Sequence, residues 1–338
     1  MDYRNYHYTN HGAAVKLTII TDRKLTMRRV ETYLPRVPWI VGVSLLLIVP
    51  ALAESIESAR AAASDPCAKT VLHCESYGSG DPIIALHGLG GTLYSWHKLK
   101  GKFPNHQLIL IDLKGAGDSP KPHDKHYSIR DQADLILKLI RDNDLKNLTL
   151  IGNSYGGAVS LFLAIELCKE KPRRLASLIL IDSGASDQDL PSHLTILRTP
   201  VVGWLALHLL SPRAQVRKVL HDSYYCPKKI TDDQIDAYAK GIASPGGRYA
   251  LLQTAKQAIP KDIKEIMKQY KTISVPTLII WGLDDRLIPI KIGEMLHGEI
   301  GGSTLELVVD CGHVPQEEQP QETMRYITAF FRRMGQRP

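Results

Sequence analysis

The run Leu148-Thr-Leu-Ile-Gly152-Asn-Ser154-Tyr-Gly156-Gly-Ala-Val reads as a strand, a sharp turn and a helix, with G-x-S-x-G at the turn. A serine so placed has its Oγ lifted clear of the sheet, and the glycines two residues to either side leave room for neighbouring backbone. The following helix points its N-terminus at the reacting centre, where developing negative charge is stabilised. The bare pattern recurs by chance; the flanking strand and helix give it weight, and Ser154 is the expected nucleophile. Downstream, Val275-Pro-Thr-Leu-Ile-Ile-Trp-Gly-Leu-Asp284-Asp285 sets two carboxylates directly after a strand. Leu305–Val309 then leads into Asp310-Cys-Gly312-His313. His313 is the expected general base, and an acid at the neighbouring strand end would fix its tautomer and stabilise the imidazolium. Acyl transfer also needs backbone donors for an oxyanion. The glycine-bearing turn after Pro82–Leu86 supplies one, so the amides of Leu89 and Tyr155 are the expected pair. His87, just before that turn, is expected to order the loop and stands outside the triad.

These residues need a scaffold that brings strand ends together. From residue 70 onward, short β-rich runs alternate with longer helical patterns, which predicts an α/β fold with a mostly parallel sheet. The expected strands are Val71–Tyr77, Pro82–Leu86, Gln107–Ile111, Asn147–Ile151, Leu175–Ile181, Val275–Trp281 and Thr304–Val309. The expected helices between them are Ser128–Asp142, Tyr155–Lys169, Lys291–Leu296 and Gln321–Arg333. In open α/β sheets the ligand sits beyond the carboxyl ends of the strands, and every residue singled out above follows a strand. One connection, from near Ile181 to near Val275, is far too long for a simple crossover. It contains helix-like runs (Leu194–Leu210, Ala214–His221, Asp232–Ile242, Arg248–Ala258, Lys261–Tyr270) and no clear strand. The expected organisation is a core over 70–186 and 271–338, a helical cap over 187–270, a linker over 54–69 and an N-terminal extension over 1–53.

In order and in wording these motifs resemble the α/β-hydrolase superfamily, specifically its cap-bearing members, from about residue 70 to residue 333. His87-Gly88 is similar to the family's oxyanion turn, Asp112-Leu-Lys-Gly115-Ala-Gly117-Asp-Ser119 to its D-x-x-G-x-G-x-S loop, and Gly152-Asn-Ser154-Tyr-Gly156 to its elbow. The family's acid commonly lies three residues after a glycine and four before a proline, which on Gly282 and Pro289 selects Asp285 over Asp284; some members place it after the preceding core strand, here at Asp182. The resemblance implies a serine hydrolase of the carboxylesterase type, with an ester or other acyl compound as its small-molecule substrate. Serine disfavours the dehalogenase and epoxide hydrolase relatives, whose chemistry needs a carboxylate nucleophile. Carbon–carbon bond hydrolases of ring-fission products are the first alternative. Their cap arginine and the tryptophan after the catalytic histidine have no clear counterpart here, where Val314 follows His313. A slow or non-catalytic small-molecule receptor on the same fold is the second, and a cofactor-free haloperoxidase or perhydrolase is a more distant one. No metal or organic cofactor is implied.

The rest of the sequence bears on location and partners. From Val37 to Ala53 no residue is charged, Arg28, Arg29 and Arg36 precede the run, and Ala51-Leu52-Ala53 supplies a small-residue cleavage site. That pattern predicts a secretory signal cut after Ala53, with translation starting at Met27, or an uncleaved membrane anchor if it is kept. Residues 37–53 and the apolar cap run Leu194–Leu210 are the expected points of any membrane contact. The net charge of +7 does not point to nucleic acid. Residues 1–53 carry seven basic side chains against Asp2, Asp22 and Glu31, leaving +3 on the other 285 with no basic stripe interleaved with aromatics. Tyr3, Tyr6, His7, Tyr8 and His11 precede the expected start and are not read as a metal tail. Cys67 and Cys74 are expected to be held apart by an extended stretch, and all five cysteines are read as free. The sequon at Asn147-Leu-Thr149 is read as chance because it is expected to begin a core strand.

Overall fold

The computed structural model describes residues 5–8, 15–18, 65–171, 173–187, 192–199 and 201–336. The expected targeting run over 37–53, its cleavage after Ala53, the start at Met27 and most of the linker lie outside the described residues. Two compact units are present. Within Met1–Ala59, β1 (Asn5–Tyr8) pairs antiparallel with β2 (Val15–Thr18). Everything below concerns the second unit, Arg60–Pro338. Among the described residues no helix is long and apolar enough to cross a membrane.

Seven strands form one sheet: β3 (Cys74–Gly78), β4 (Asp81–Leu86), β5 (His106–Ile111), β6 (Leu148–Asn153), β7 (Leu175–Ile181), β8 (Thr277–Gly282) and β9 (Thr304–Val308). Their spatial order is β3-β5-β4-β6-β7-β8-β9. Six strands run parallel, and β3 lies antiparallel on the β5 edge. β4, β6, β7 and β8 are buried on both faces, which is why they read as nearly continuous aliphatic runs. Residues alternate across the sheet: Ile84 and Leu86 pack into the core beneath α1 (Ile129–Asp142) and α2 (Tyr155–Lys169), whereas Ile83 and Ala85 pack with Trp96, Phe330 and Phe331 on the other side. Ser128 and Asp131 form a capping box at the start of α1. The chain leaves β4 toward β5 and returns past it to β6, so the strand order reverses between β4 and β6. The loops after those two strands therefore meet at a topological switch point, the place where such sheets bind ligands.

Between β7 and β8 the described residues hold helices and no strand: α3 (Ser192–Arg198), α4 (Val202–Leu209), α5 (Pro212–Ser223), α6 (Asp232–Ala243), α7 (Gly247–Gln257) and α8 (Ile263–Met267). After β8 come α9 (Lys291–Glu299), β9, a short α10 (Pro315–Glu318) and α11 (Pro320–Arg333).

Four expectations need correction. The run Leu194–Leu210 is two helices, broken where Val201 takes a left-handed φ of 64°. Lys261–Tyr270 is the five-residue α8 followed by a 3-10 turn over Tyr270–Thr272. Asn147 stands exposed just before β6, hydrogen-bonded to Asp81, so the asparagine of the sequon lies at the surface and does not begin the core strand. Finally, Cys67 and Cys74 are joined in a disulfide with 5.4 Å between their Cα atoms. The intervening stretch is not extended: Asp65 caps a 3-10 turn over Pro66–Lys69, accepting the Cys67 N–H at 2.9 Å, and β3 begins only at Cys74. The other three cysteines are free, as expected.

Candidate active site

Ser154 stands between β6 and α2 with φ 54° and ψ −119°, backbone angles that put an L residue under strain. Neighbouring backbone holds it there. Its N–H donates to Ile181 O at 3.0 Å, and its carbonyl accepts from Gly184 N–H at 3.0 Å and Ala158 N–H at 3.1 Å. The two elbow glycines are needed for space. A Cβ on Gly152 would collide with the carbonyl oxygen of Gly156, and one on Gly156 with that of Leu86. Gly88, after β4, lies so close that an added Cβ would be 3.1 Å from Ser154 Cβ. The turn carrying Leu89 and the start of α2 carrying Tyr155 thus flank the serine from two elements. As the first residue of α2, Tyr155 has an N–H among those that an α-helix leaves without an intrahelical acceptor.

His87 orders that turn, as expected. It is buried, accepts Leu113 N–H on Nε2 at 3.0 Å, and so carries its proton on Nδ1, which donates to Gly88 O at 2.8 Å. Burial holds its pKa below the ordinary value, against the pull of Asp112 and of its bond to Gly88. Asp112 fixes the adjoining loop by accepting Leu93 N–H at 2.7 Å and Asp118 N–H at 2.9 Å and by pairing with His73 Nδ1 at 2.7 Å.

His313 follows β9 and meets Asp285, which follows β8, through Nδ1 and Oδ2 at 2.7 Å. Both side chains are nearly inaccessible, at 8% and 1%. Asp285 also accepts Leu287 N–H at 2.7 Å and Ile288 N–H at 3.0 Å on Oδ1. Burial works to raise its pKa, but His313 beside it and these hydrogen bonds hold it below the ordinary carboxylate value. Asp284 makes no such contact: its N–H donates to Cys311 O, and the selection of Asp285 matches the geometry. Because Nδ1 is committed to Asp285, Nε2 is the ring nitrogen left to exchange a proton with a nucleophile. The His313 backbone is pinned by its N–H on Ser223 O at 2.7 Å and by Asn153 Nδ2 on its carbonyl at 3.1 Å.

Ser154 and His313 line one cavity of about 320 Å³ between the strand ends and the helical insertion. Leu89 and Tyr155 line it too, so the five residues singled out in the sequence converge, with Asp285 behind His313. Asp182, the alternative acid, lies in the same cluster, where it, Asp285 and His313 offer ligand atoms within 4.8 Å of one another. A direct 2.7 Å hydrogen bond joins two of these atoms and leaves no room for an ion between them.

Glu317 was not among the residues singled out in the sequence. This buried acid also lines the cavity. Ser95 and Tyr238 donate to its Oε1 at 3.2 and 2.6 Å, and Gln234 donates to its Oε2. Burial pushes its carboxyl up to about 7 against those hydrogen bonds. Its neighbour Glu318 accepts the backbone N–H groups of Gly312, Tyr225 and Cys226 at 2.8, 3.0 and 2.7 Å. Two adjacent acids after His313 thus tie the insertion to the segment that carries the base. The only signal in the sequence was the Glu317-Glu318 pair itself, in a stretch that reads as the approach to a surface helix.

Residues 81–320 match the family model for the alpha/beta hydrolase fold. The chain belongs to this alpha/beta hydrolase family. Among its relatives is the 2-hydroxy-6-oxo-2,4-heptadienoate hydrolase of Pseudomonas putida, 26% identical over 271 residues, covering 78% of this chain and 92% of that one. Lipase 3 of a Moraxella species is 26% identical over 257 residues, covering 75% and 78%. An esterase from Exiguobacterium antarcticum superposes with a TM-score of 0.64 at 20% identity, over 77% of this chain and 95% of its own; at that identity the likeness speaks for the alpha/beta hydrolase fold alone.

Proposed function

We propose that the chain is a serine esterase that cleaves uncharged carboxylic esters with apolar acyl groups. In this reading Ser154 Oγ attacks the ester carbonyl and its proton passes to His313 Nε2. The tetrahedral oxyanion rests on the amides of Leu89 and Tyr155. Collapse breaks the ester C–O bond, and the departing alkoxide takes the proton from His313. Water then adds to the acyl-enzyme by the same route in reverse roles, releasing the acid and restoring Ser154. Asp285 holds the imidazole in the tautomer that leaves Nε2 free and stabilises the imidazolium.

The wall of the cavity is the observation that carries this reading. It is mainly aliphatic, with Leu194, Leu207, Leu220, Ile242, Ile263 and Val314 among its members, and no arginine among the described residues lines it. Among the described lining residues, Lys218 is paired with Asp222 at 3.0 Å, and Glu317 is an acid. Such a wall favours a hydrocarbon chain and offers an anionic substrate no unpaired cation. The kinship with a lipase supports an ester substrate. Kinship with a dienoate hydrolase keeps carbon–carbon cleavage as the rival, but a substrate carboxylate would face Glu317 with no unpaired lysine or arginine among the described lining residues to bind it.

Turnover of p-nitrophenyl esters of increasing acyl length by the purified chain, with Ser154→Ala in parallel, tests the proposal. Hydrolysis that disappears in the variant, with a preference for medium or long acyl groups, is expected. A folded protein that cleaves no ester but hydrolyses a vinylogous 1,5-diketo acid would transfer the assignment to carbon–carbon chemistry, and one that does neither would favour a receptor. We also infer that the protein works in an oxidising compartment, either exported or held at the membrane through residues 37–53. The Cys67–Cys74 disulfide supports this inference. Recovery of the chain from the cytoplasm with both thiols open to alkylation would contradict it.

A further inference from the structure

Asp182 directly follows β7, with its main-chain N–H on Ile280 O at 3.0 Å and a left-handed φ of 44°. Its side chain is fully buried. Oδ1 accepts Gly282 N–H at 3.0 Å, while Oδ2 is enclosed with no hydrogen-bond donor among the described residues to meet it. Beside it lies Asp285, already furnished as an anion by His313 Nδ1 and two backbone N–H groups. Two buried carboxylates at this separation cannot both ionise against a single imidazole, and the one with fewer donors keeps its proton. That one is Asp182. With a proton on Oδ2, the enclosed oxygen becomes a donor and finds its acceptor in Asp285.

We propose that Asp182 is a neutral positioning acid, donating its carboxyl hydrogen bond to Asp285 and so holding that carboxylate ionised and correctly turned toward His313. The proposal rests on the esterase reading. It differs from assigning Asp182 as the triad acid, because His313 Nδ1 is bonded to Asp285. The titratable groups acting on Asp182 from neighbouring elements are Asp285 after β8, and Glu318 and the Cys311 thiol from the segment after β9. His313 lies in the same cluster, and Lys229 approaches that segment by donating to Glu318 O at 3.0 Å. Burial first, and then the charge and hydrogen bond of Asp285, raise Asp182 well above the usual carboxylate range. The same hydrogen bond helps to keep Asp285 low. During attack on an ester, the proton taken by His313 must stay on the imidazole. A hydrogen bond donated to Asp285 makes that carboxylate a poorer base and keeps it an orienter.

The test compares Asp182→Asn with Asp182→Ala in the full chain. Asparagine preserves both bonds, its Oδ1 accepting from Gly282 and its Nδ2 donating to Asp285; alanine preserves neither. The asparagine variant is expected to keep kcat within about threefold and the acid-side midpoint of kcat/KM against pH within about 0.3 units, because a neutral group replaces a neutral group. Alanine is expected to lower kcat by about 10- to 100-fold with KM within about twofold, since orientation of the base is lost rather than substrate binding. A downward move of the asparagine variant's midpoint by about one unit would show that Asp182 is ionised in the native protein and would overturn the proposal. Equal losses in both variants, or an unchanged kcat in alanine, would overturn it as well. The rate at which a fluorophosphonate modifies Ser154 is followed alongside. Should no ester be turned over while labelling proceeds normally, the substrate reading fails, and the labelling rates of the two variants still decide the role of Asp182.

Discussion

The cavity has two sides, and they are built from different materials. On the sheet side, Ser154 and His313 stand on backbone tied down by hydrogen bonds from buried strands and loops, and Asp285 is nearly inaccessible. On the helical side the wall comes from short helices whose outer faces stay open to solvent: Leu207 is 2% exposed, whereas Leu209 two residues on is 77% exposed and Trp204 is 53% exposed. The contrast separates two tasks. Chemistry needs atoms held to a fraction of an ångström, and the sheet supplies that; choice of substrate needs only a surface of suitable shape and polarity, which short helices with solvent-exposed outer faces can vary.

Substitutions on the sheet side should cost the most. Ser154→Ala is expected to lower kcat by about 10⁶-fold with little change in KM. Ester hydrolysis under saturating substrate measures it, and a residual rate above about 1% of the parent would remove Ser154 from its role. Asp285→Asn keeps the shape but favours the wrong imidazole tautomer, and is expected to lower kcat by about 10⁴-fold. A loss under about tenfold would mean that Asp182 or another group orients His313 instead.

Glu317 sits where the two sides meet, and its effect should be intermediate. A folded-state value of about 7 lies above the ordinary 4.5, so the native state holds this proton more tightly than the unfolded chain does. Its contribution to stability is therefore complete below about pH 4.5 and is lost as pH rises to about 7, a decline of order 3 kcal/mol. Urea unfolding of the parent and of Glu317→Gln across that window checks the sign: the parent should lose this increment relative to the variant. Parallel slopes would contradict the burial argument. Changes on the helical side should be smallest and should move selectivity. Leu207→Trp is expected to cut kcat/KM for long acyl esters by about tenfold while leaving acetyl esters within about threefold. Equal losses across acyl lengths would mean that Leu207 supports the fold and not the pocket.

The same division decided what could be read from the sequence. The strand, turn and helix around Ser154 were legible because G-x-S-x-G has a steric reason for each of its glycines, and the buried parallel strands announce themselves as aliphatic runs. His313 and the acid could be found because each follows such a strand. Less could be read where a contact depends on distant packing. Cys67 and Cys74 looked too far apart because the cap that Asp65 places on the Pro66 turn leaves no trace in the spacing of the cysteines. Glu317 looked like the start of a surface helix, and only the arrival of Ser95, Tyr238 and Gln234 from elsewhere in the chain buries it. The break in Leu194–Leu210 did have a signal, since Pro200 lacks the N–H that a helix interior needs and disfavours helix at the residue before it, whereas the left-handed φ at Val201 goes against the preference of a β-branched residue. Asp182 could be named as an alternative acid, but not as the second carboxyl of a pair.

In the proposed mechanism the Asp285–His313 pair activates Ser154 inside an apolar cavity. Fluorophosphonate labelling followed by intact-protein and peptide mass analysis tests it most directly, on the parent chain and on His313→Ala. One phosphonyl adduct per parent chain, located on Ser154, is expected, with labelling at least about 10³-fold slower without the imidazole. An adduct on another residue, or equally fast labelling of both proteins, would contradict it.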